Sequence, residues 1–177
     1  MKPTSRQAAV QWVRSAMDRH ESDLLRYARG ILGDAERARD VVQETFMRMV
    51  QSRQVGQDEH LRPWLFAVCR NRALDVRRKE QRMHTASEHI EGRDDGGQSA
   101  PAAIAIQREA AERVERALTG LPPNQQDVLR LKFQSGFSYK QIAEITGLSV
   151  SNVGFLIHTG IKTLRKDFQA SGLMARA

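Results

Sequence analysis

The chain has 177 residues, enough for one ordinary domain or two small ones, and its 40% hydrophobic and 28% charged residues predict a folded protein. The net charge of +7 favours a polyanionic partner, nucleic acid first and an anionic membrane surface second. The one cysteine, Cys69, excludes an intramolecular disulfide, and its apolar surroundings predict a buried, reduced thiol. No apolar run approaches the ~20 residues of a membrane span, and the N-terminus lacks the apolar core of a signal peptide, so we expect a cytoplasmic protein.

Apolar residues recur with helical spacing along the whole chain, and no segment has the pattern of a strand, so we predict an all-α protein. The first helix is expected over about residues 7–32, ending at Gly33, and its pattern allows a break near Asp18. Asp34 is expected to cap a second helix that runs to about residue 52.

A change of composition divides the chain into two predicted domains. Pro63 suits the first turn of a third helix, which completes a domain over residues 5–85. Residues 86–103 are rich in small, polar and acidic side chains with Gly and Pro, which predicts a flexible linker. Helical patterning resumes in a second domain, residues 104–170, with helices expected at about 104–118, 123–134, 138–146 and 149–168.

The segment FSYKQIAEITGLSVSNVGFLIHTGIKTLRKDF has the pattern of a helix-turn-helix. Ser138 and Gln141 fit a capping box, Gly147 permits a tight turn, and Ser149 suits the cap of the second helix. The alternative is a plain helical hairpin with a solvated polar face. The apolar positions expected to pack inward are Ile142, Ala143 and Ile145, then Val153, Leu156, Ile157, Ile161 and Leu164. The face expected to enter a major groove carries Asn152, Phe155, His158, Thr159, Lys162 and Lys166.

The second helix has two distinct faces. Its expected buried stripe is Ala38, Val42, Phe46, Met49 and Val50. A second, acidic face has no evident intrachain cation and suits a basic protein partner, although a solvated charged face is the alternative. That face carries Asp40, Gln43, Glu44 and Met47.

Two segments of the first domain, GDAERARDVVQETFMRMV and RPWLFAVCRNRALDVRRKEQR, closely resemble conserved region two of bacterial sigma factors of the extracytoplasmic-function (ECF) group. LTGLPPNQQDVLRLKFQSGFSYKQIAEITGLSVSNVGFLIHTGIKTLR resembles region four of the same group. The resemblance covers about residues 18–84 and 108–168, in the family's order. It implies a sigma factor of the sigma-70 family that binds core RNA polymerase, directs it to promoters and promotes transcription initiation.

The resemblance also implies roles for individual residues. Asp40, Gln43, Glu44 and Met47 would bind the β′ clamp helices of core RNA polymerase, with Phe46 as a core support. The loop over residues 55–62 resembles the one that captures a flipped base of the −10 element. The expected −10 DNA-binding residues are Trp64, Arg70, Asn71, Arg77, Arg78 and Lys79. For Trp64 the choice between core packing and stacking on a base stays open. The expected −35 DNA-binding residues are Ser151, Asn152, Phe155, His158, Thr159 and Lys162.

The chain departs from the family in its −35 helix. Family members often carry basic residues where this chain has Gly154, Phe155 and Thr159, so we expect bidentate guanine contacts from that region to be lost. We expect shape and apolar recognition instead, with Phe155 against a thymine methyl group and Asn152 toward adenine. The alternative is that Phe155 serves a protein surface, either the polymerase β flap or a regulator.

Two other function classes are alternatives to a sigma factor. A one-component regulator would bind an operator as a dimer without polymerase, and would not require the apolar and basic helix that begins at Arg62. A nucleic-acid enzyme lacks support, because no metal-ligand cluster, Gly-rich phosphate loop or nucleophile–base pattern occurs in the sequence. We therefore expect no catalytic residues, no cofactor and no metal. Control by an anti-sigma factor, by phosphorylation or by expression level is left open.

Overall fold

A computed structural model describes residues 5–52, 60–84 and 102–170, and every regular element in these ranges is helical. The elements are α1 (Ser5–Leu32), α2 (Ala35–Gln51), α3 (Leu61–His84), α4 (Ala102–Thr119), α5 (Pro123–Leu129), a π-helical turn (Arg130–Gln134), α6 (Tyr139–Thr146) and α7 (Val150–Ala170). The prediction of an all-α, two-domain protein is confirmed. Most of the expected linker, 86–103, and most of the loop 55–62 lie outside the described residues.

The chain divides into two compact units, one built on α1, α2 and α3 and the other on α4, α5 and α7. Residues 140–147, which include all of α6 except Tyr139, group with the first unit. The domain boundaries at residues 85 and 104 therefore stay predictions.

The boundary between α1 and α2 is set by local chemistry. Gly33 has φ 73°, a left-handed conformation that glycine adopts without strain and that ends α1. The side chain of Asp34 then accepts a hydrogen bond of 2.7 Å from the Arg37 backbone N–H, so the predicted cap is confirmed. The break that the pattern allowed near Asp18 does not occur: α1 is continuous, Asp18 faces solvent, and the buried stripe continues past it from Ala16 to Leu24.

The core of the first unit lies where the three helices meet. Tyr27 of α1 and Phe66 of α3 are both fully buried, with ring centroids 5.2 Å apart. The expected inward position of Val50 was wrong, because its side chain is 50% exposed. Val41 and Thr45 are buried instead, since they precede Met49 at four-residue steps on one face.

Cys69 is fully buried in this core, as predicted. Burial raises the pKa of the thiol to about 12, and the hydrogen bond with Thr45 lowers that pKa less than burial raises it. The thiol is therefore neutral near pH 7 and serves as a packing group.

Within the part of this unit that the structure describes, ion pairs join α3 to both other helices. Their N–O distances are 2.8 Å for Arg37–Glu80, 2.5 Å for Arg72–Glu44 and 3.4 Å for Arg62–Asp23. Each is partly exposed, so its contribution to stability is small, but two of them orient arginines of α3: Arg62 toward Asp23 of α1 and Arg72 toward Glu44 of α2.

The second unit contains a buried charge. Arg130 is 1% exposed, and its guanidinium donates to both carboxylate oxygens of Glu115 on α4, at 2.6 and 2.8 Å. The expected single helix over residues 123–134 is interrupted at this arginine: α5 ends, and the Ser135 N–H donates to the Arg130 carbonyl five residues back.

The turn between α6 and α7 follows the predicted pattern. Gly147 has φ 74°, and the Ser149 hydroxyl accepts from the Asn152 backbone N–H at 3.2 Å, which confirms the cap. The capping box of Ser138 stays a prediction. The fully buried positions are Ile142 and Ile145 in α6, then Val153, Ile157 and Gly160 in α7. The half-buried ones are Ala143, Leu156, Ile161 and Leu164.

Candidate nucleic-acid and protein interfaces

The outer face of α2 is acidic at one end and apolar at the other. Asp40 and Gln43 are exposed, and Met47 is 55% exposed. Val50, at 50% exposure, continues the same face one turn further. The spacing 40, 43, 47, 50 is the signal that would have assigned Val50 to this face from the sequence.

Glu44 differs from its neighbours on this face, because it has two intrachain partners. One carboxylate oxygen accepts from Arg48 of α2 at 3.1 Å, and the other accepts from Arg72 Nε of α3 at 2.5 Å. The expectation that this acidic face lacks an intrachain cation was therefore wrong for Glu44. Arg48 lies four residues after Glu44 and could be found from the sequence, whereas Arg72 is 28 residues away and reaches Glu44 only through the packing of α3 on α2.

The second half of α3 presents a basic surface around the exposed amide of Asn71. Asn71, Arg78 and Lys79 are exposed, whereas Arg70 and Arg77 are half-buried. Arg78 lies 3.4 Å from Asp75, a surface pair that water and salt weaken. The stems of such side chains pack along the helix while the charged heads remain in water, where they can meet phosphate.

Trp64 is half-buried at the start of α3. Next to it, Leu65 and Phe66 are fully buried. The tryptophan thus lies at the margin of the core and is partly exposed, so both roles considered for it remain compatible with its position.

The outward face of α7 is mostly as expected. Ser151, Asn152, His158 and Lys162 are exposed, and Phe155 is 64% exposed. These side chains surround the helix surface opposite its buried stripe.

Thr159 is the exception on α7, because it is half-buried. Its hydroxyl donates to the Phe155 carbonyl at 2.9 Å and accepts from the Gln125 amide at 3.3 Å. Its polar group is thus used within the fold, which leaves Thr159 less able to contact a base edge than its neighbours.

Gly154 faces an aromatic ring. A Cβ atom placed on it would lie 3.6 Å from Tyr139 Cε2, an ordinary contact distance. Tyr139 is 40% exposed, and Lys132 Nζ lies 5.4 Å from its ring centroid.

Within the described residues, no group of three or more His, Cys, Asp or Glu side chains could hold a metal ion. In the same ranges, no helix combines the length and apolar character needed to cross a membrane.

Two conserved regions match this chain. Residues 16–83 match Sigma-70 region 2, and residues 111–164 match Sigma-70, region 4. The ECF RNA polymerase sigma factor SigL of Mycobacterium tuberculosis is 33% identical over 173 residues, which cover 94% of each chain. This protein belongs to the ECF sigma factors. Another relative, the ECF sigma factor SigM of Bacillus subtilis, is 30% identical over 131 residues, 74% of this sigma factor and 79% of SigM.

Two solved structures have the same fold as this sigma factor. The sigma factor RpoE from Bartonella quintana, in complex with the anti-sigma factor NepR, has a TM-score of 0.71 and 22% identity, and the match covers 86% of this chain and 94% of RpoE. CnrH, in complex with the cytosolic domain of CnrY, has a TM-score of 0.64 and 24% identity over 93% and 97% of the two chains.

Membership of the family confirms the predicted function. The protein is a sigma factor that binds core RNA polymerase, directs it to promoters and promotes transcription initiation. The one-component regulator is set aside, because such a protein would have no reason to match both sigma regions. Sigma factors are in general regulators without catalytic activity of their own.

Proposed function

We propose that the described helices divide the work of this sigma factor by surface: α2 binds core polymerase, α3 binds and opens the −10 region, and α7 recognises the −35 element. The observation that carries this proposal is the difference in charge between two helices of the first unit. Acidic and basic side chains balance on α2, three against three, whereas α3 carries seven Lys and Arg against two Asp and Glu. A polyanion would therefore meet α3 and not α2, which leaves the exposed Asp40 and Met47 of α2 for a protein partner.

On α2, we assign core binding to Asp40, Gln43, Glu44 and Met47, and add Val50. Contact with the β′ clamp helices would bury the apolar end of this face and pair its acidic end with cations. Glu44 contributes to core binding indirectly, because its two carboxylate oxygens already accept hydrogen bonds from Arg48 and Arg72 and so orient these arginines.

On α3, we assign an unpaired base of the −10 element to Asn71 and the phosphates around it to Arg70, Arg77, Arg78 and Lys79. An amide offers both a donor and an acceptor, and an unstacked base exposes its pairing edge to such a group. Trp64 completes this surface at the start of the helix.

On α7, we assign −35 recognition to Ser151, Asn152, Phe155, His158 and Lys162, with Thr159 in a lesser role. The β flap of polymerase is the protein contact proposed for the second domain. We further propose that the protein is cytoplasmic, where transcription takes place, and that it has no catalytic residues of its own. Because both solved relatives are complexes with a bound regulator or regulator domain, NepR or CnrY, an anti-sigma factor is the regulator we propose here.

The test of the −10 assignment is Asn71→Ala in the reconstituted holoenzyme. We expect open-complex formation to fall about tenfold, the scale of one good amide–base contact, with closed-complex affinity nearly unchanged. Permanganate footprinting of unpaired thymines measures opening, and binding at low temperature measures the closed complex. Gln81→Ala removes another exposed amide from the same helix and is expected to leave opening unchanged. Normal opening by the Asn71 variant would show that its assignment is wrong.

A further inference from the structure

The first three turns of α7 lack charge. From Val150 to Ile161 the helix has no Lys, Arg, Asp or Glu, and its first cation is Lys162. In this stretch the side chain nearest the centre of the outward face is Phe155, at 64% exposure. Ser151 precedes it by one turn and Lys162 follows it by two, both on the same side of the helix.

The side chains around Phe155 are small or uncharged. Ser151, Asn152 and His158 are exposed beside it, while the Thr159 hydroxyl is turned to the Phe155 carbonyl and to Gln125. An aromatic ring therefore projects from a polar rim with no charged group beside it in these turns.

Charge and shape favour DNA over protein as the partner of this ring. Lys162, Arg165 and Lys166 are exposed further along the helix, where cations suit phosphates. The apolar group that a base presents in the major groove is the C5-methyl of thymine, which an aromatic ring can pack against. Guanine presents two hydrogen-bond acceptors there, and an aromatic ring placed against them would supply no donor.

We propose that Phe155 determines −35 specificity by packing against the C5-methyl group of a thymine, so that the preferred −35 element contains a thymine at that position. The proposal rests on the assignment of α7 to the −35 element and deepens it, since it names the base and the atom recognised. Asn152 lies on the same outward arc and is placed for the adenine of the same or a neighbouring base pair.

The experiment removes the methyl group and the ring separately. A preferred promoter is selected from a library with wild-type holoenzyme, and each −35 thymine on either strand is replaced in turn by uracil, which differs only in the C5-methyl. Closed-complex affinity is measured at saturating core polymerase. We expect one or two uracil replacements to weaken wild-type binding about fourfold, the scale of one buried methyl group. For Phe155→Ala the same replacements should have no effect.

Phe133→Ala is the matched control, because Phe133 is also 64% exposed but lies on the π-helical turn. It should keep the full sensitivity to uracil. The proposal is overturned if the selected −35 element has no thymine, if uracil never weakens wild-type binding, or if its effect persists in Phe155→Ala. It is also overturned if Phe155→Ala lowers affinity for core polymerase while uracil sensitivity is retained, which assigns the ring to a protein surface. Scrambling the whole −35 element tests the −35 assignment separately. If scrambling leaves wild-type binding unchanged, the assignment of α7 to the −35 element fails; if scrambling weakens binding, only the role of Phe155 is in question.

Discussion

Two glycines of α7 have different surroundings, and the difference predicts opposite effects of the same substitution. A Cβ atom on Gly154 would meet Tyr139 at 3.6 Å, which is ordinary contact, whereas a Cβ atom on Gly160 would lie 2.9 Å from Leu129 Cδ1. Glycine inside a helix costs about 1 kcal/mol relative to alanine at either position. The close packing of α5 on α7 therefore favours glycine at position 160, because the Leu129 side chain would have to shift, while position 154 tolerates alanine.

We expect Gly154→Ala to raise the stability of α7 by about 1 kcal/mol, because the helix gains propensity and no atom must move. Gly160→Ala should be less stable than Gly154→Ala by about 1–3 kcal/mol, because the buried Leu129 side chain has to shift. Hydrogen exchange of the α7 backbone amides in the full-length chain measures both effects.

The two variants serve as each other's control, since the chemical change is identical. Equal protection of α7 in both would show that the approach to Leu129 does not determine the choice of glycine. The sequence drew attention to Gly154 alone, because it stands where related proteins often carry a basic residue. The requirement at Gly160 depends on Leu129, 31 positions earlier in the chain, and becomes apparent only when α5 is packed on α7.

At the level of helices, the bridge from Glu44 to Arg72 joins the surface assigned to polymerase with the helix assigned to DNA. The bridge spans 2.5 Å, and its two side chains are 35% and 39% exposed. A partly exposed pair of this kind adds little stability, so we regard its main effect as orientation: it holds Arg72 toward α2.

A charge swap tests this interpretation. We expect Glu44→Arg to weaken core binding, because it places a third cation beside Arg48 and Arg72, and we expect Arg72→Glu in the same chain to recover part of the loss. Affinity for core polymerase, measured without DNA, reports the effect.

The control is Asp40→Arg, on the same face. Its loss of core affinity should be at least tenfold if the exposed carboxylate meets a cation of the polymerase, and Arg72→Glu should not recover it. If Arg72→Glu fails to rescue Glu44→Arg as well, Glu44 contacts polymerase directly and the bridge is incidental.

Helical periodicity and local capping were sufficient to predict most of this fold. Asp34 and Ser149 cap their helices as expected, because a cap is decided within three residues. The π-helical turn that begins at the buried Arg130 was not predicted. An arginine in a helical pattern normally faces water, so nothing in the sequence indicated this burial. Its burial depends on Glu115 in α4, which supplies the opposite charge from a separate helix. The candidate site divides in the same way: exposed positions such as Asn71 and Phe155 follow from periodicity, whereas the contacts of Glu44 with Arg72 and of Thr159 with Gln125 depend on the packing of separate helices.

Across the whole molecule, charge is concentrated in one helix. The segment Leu61–His84 carries seven Lys and Arg against two Asp and Glu, so α3 accounts for most of the net charge of +7. Binding of a polyanion releases counterions in proportion to the phosphates contacted, which makes promoter affinity fall as salt rises. Because the charge is concentrated in α3, we expect the salt dependence of promoter affinity to arise from particular residues of this helix and not from the net charge of the whole protein.

We expect the double variant Arg77→Gln, Arg78→Gln to flatten the plot of log affinity against log salt by about 1.4–1.8, since each phosphate contact contributes about 0.7 on single strands and 0.9 on duplex DNA. Because phosphate contacts carry no sequence information, the order of preference among promoters should not change. Holoenzyme binding to a promoter fragment over a series of salt concentrations measures the slope.

The matched control is Arg14→Gln, Arg29→Gln, which removes two exposed cations from α1 and the same amount of net charge. An equal change of slope in both double variants would mean that the general field of the protein governs binding, and the assignment of Arg77 and Arg78 to phosphates would then be wrong.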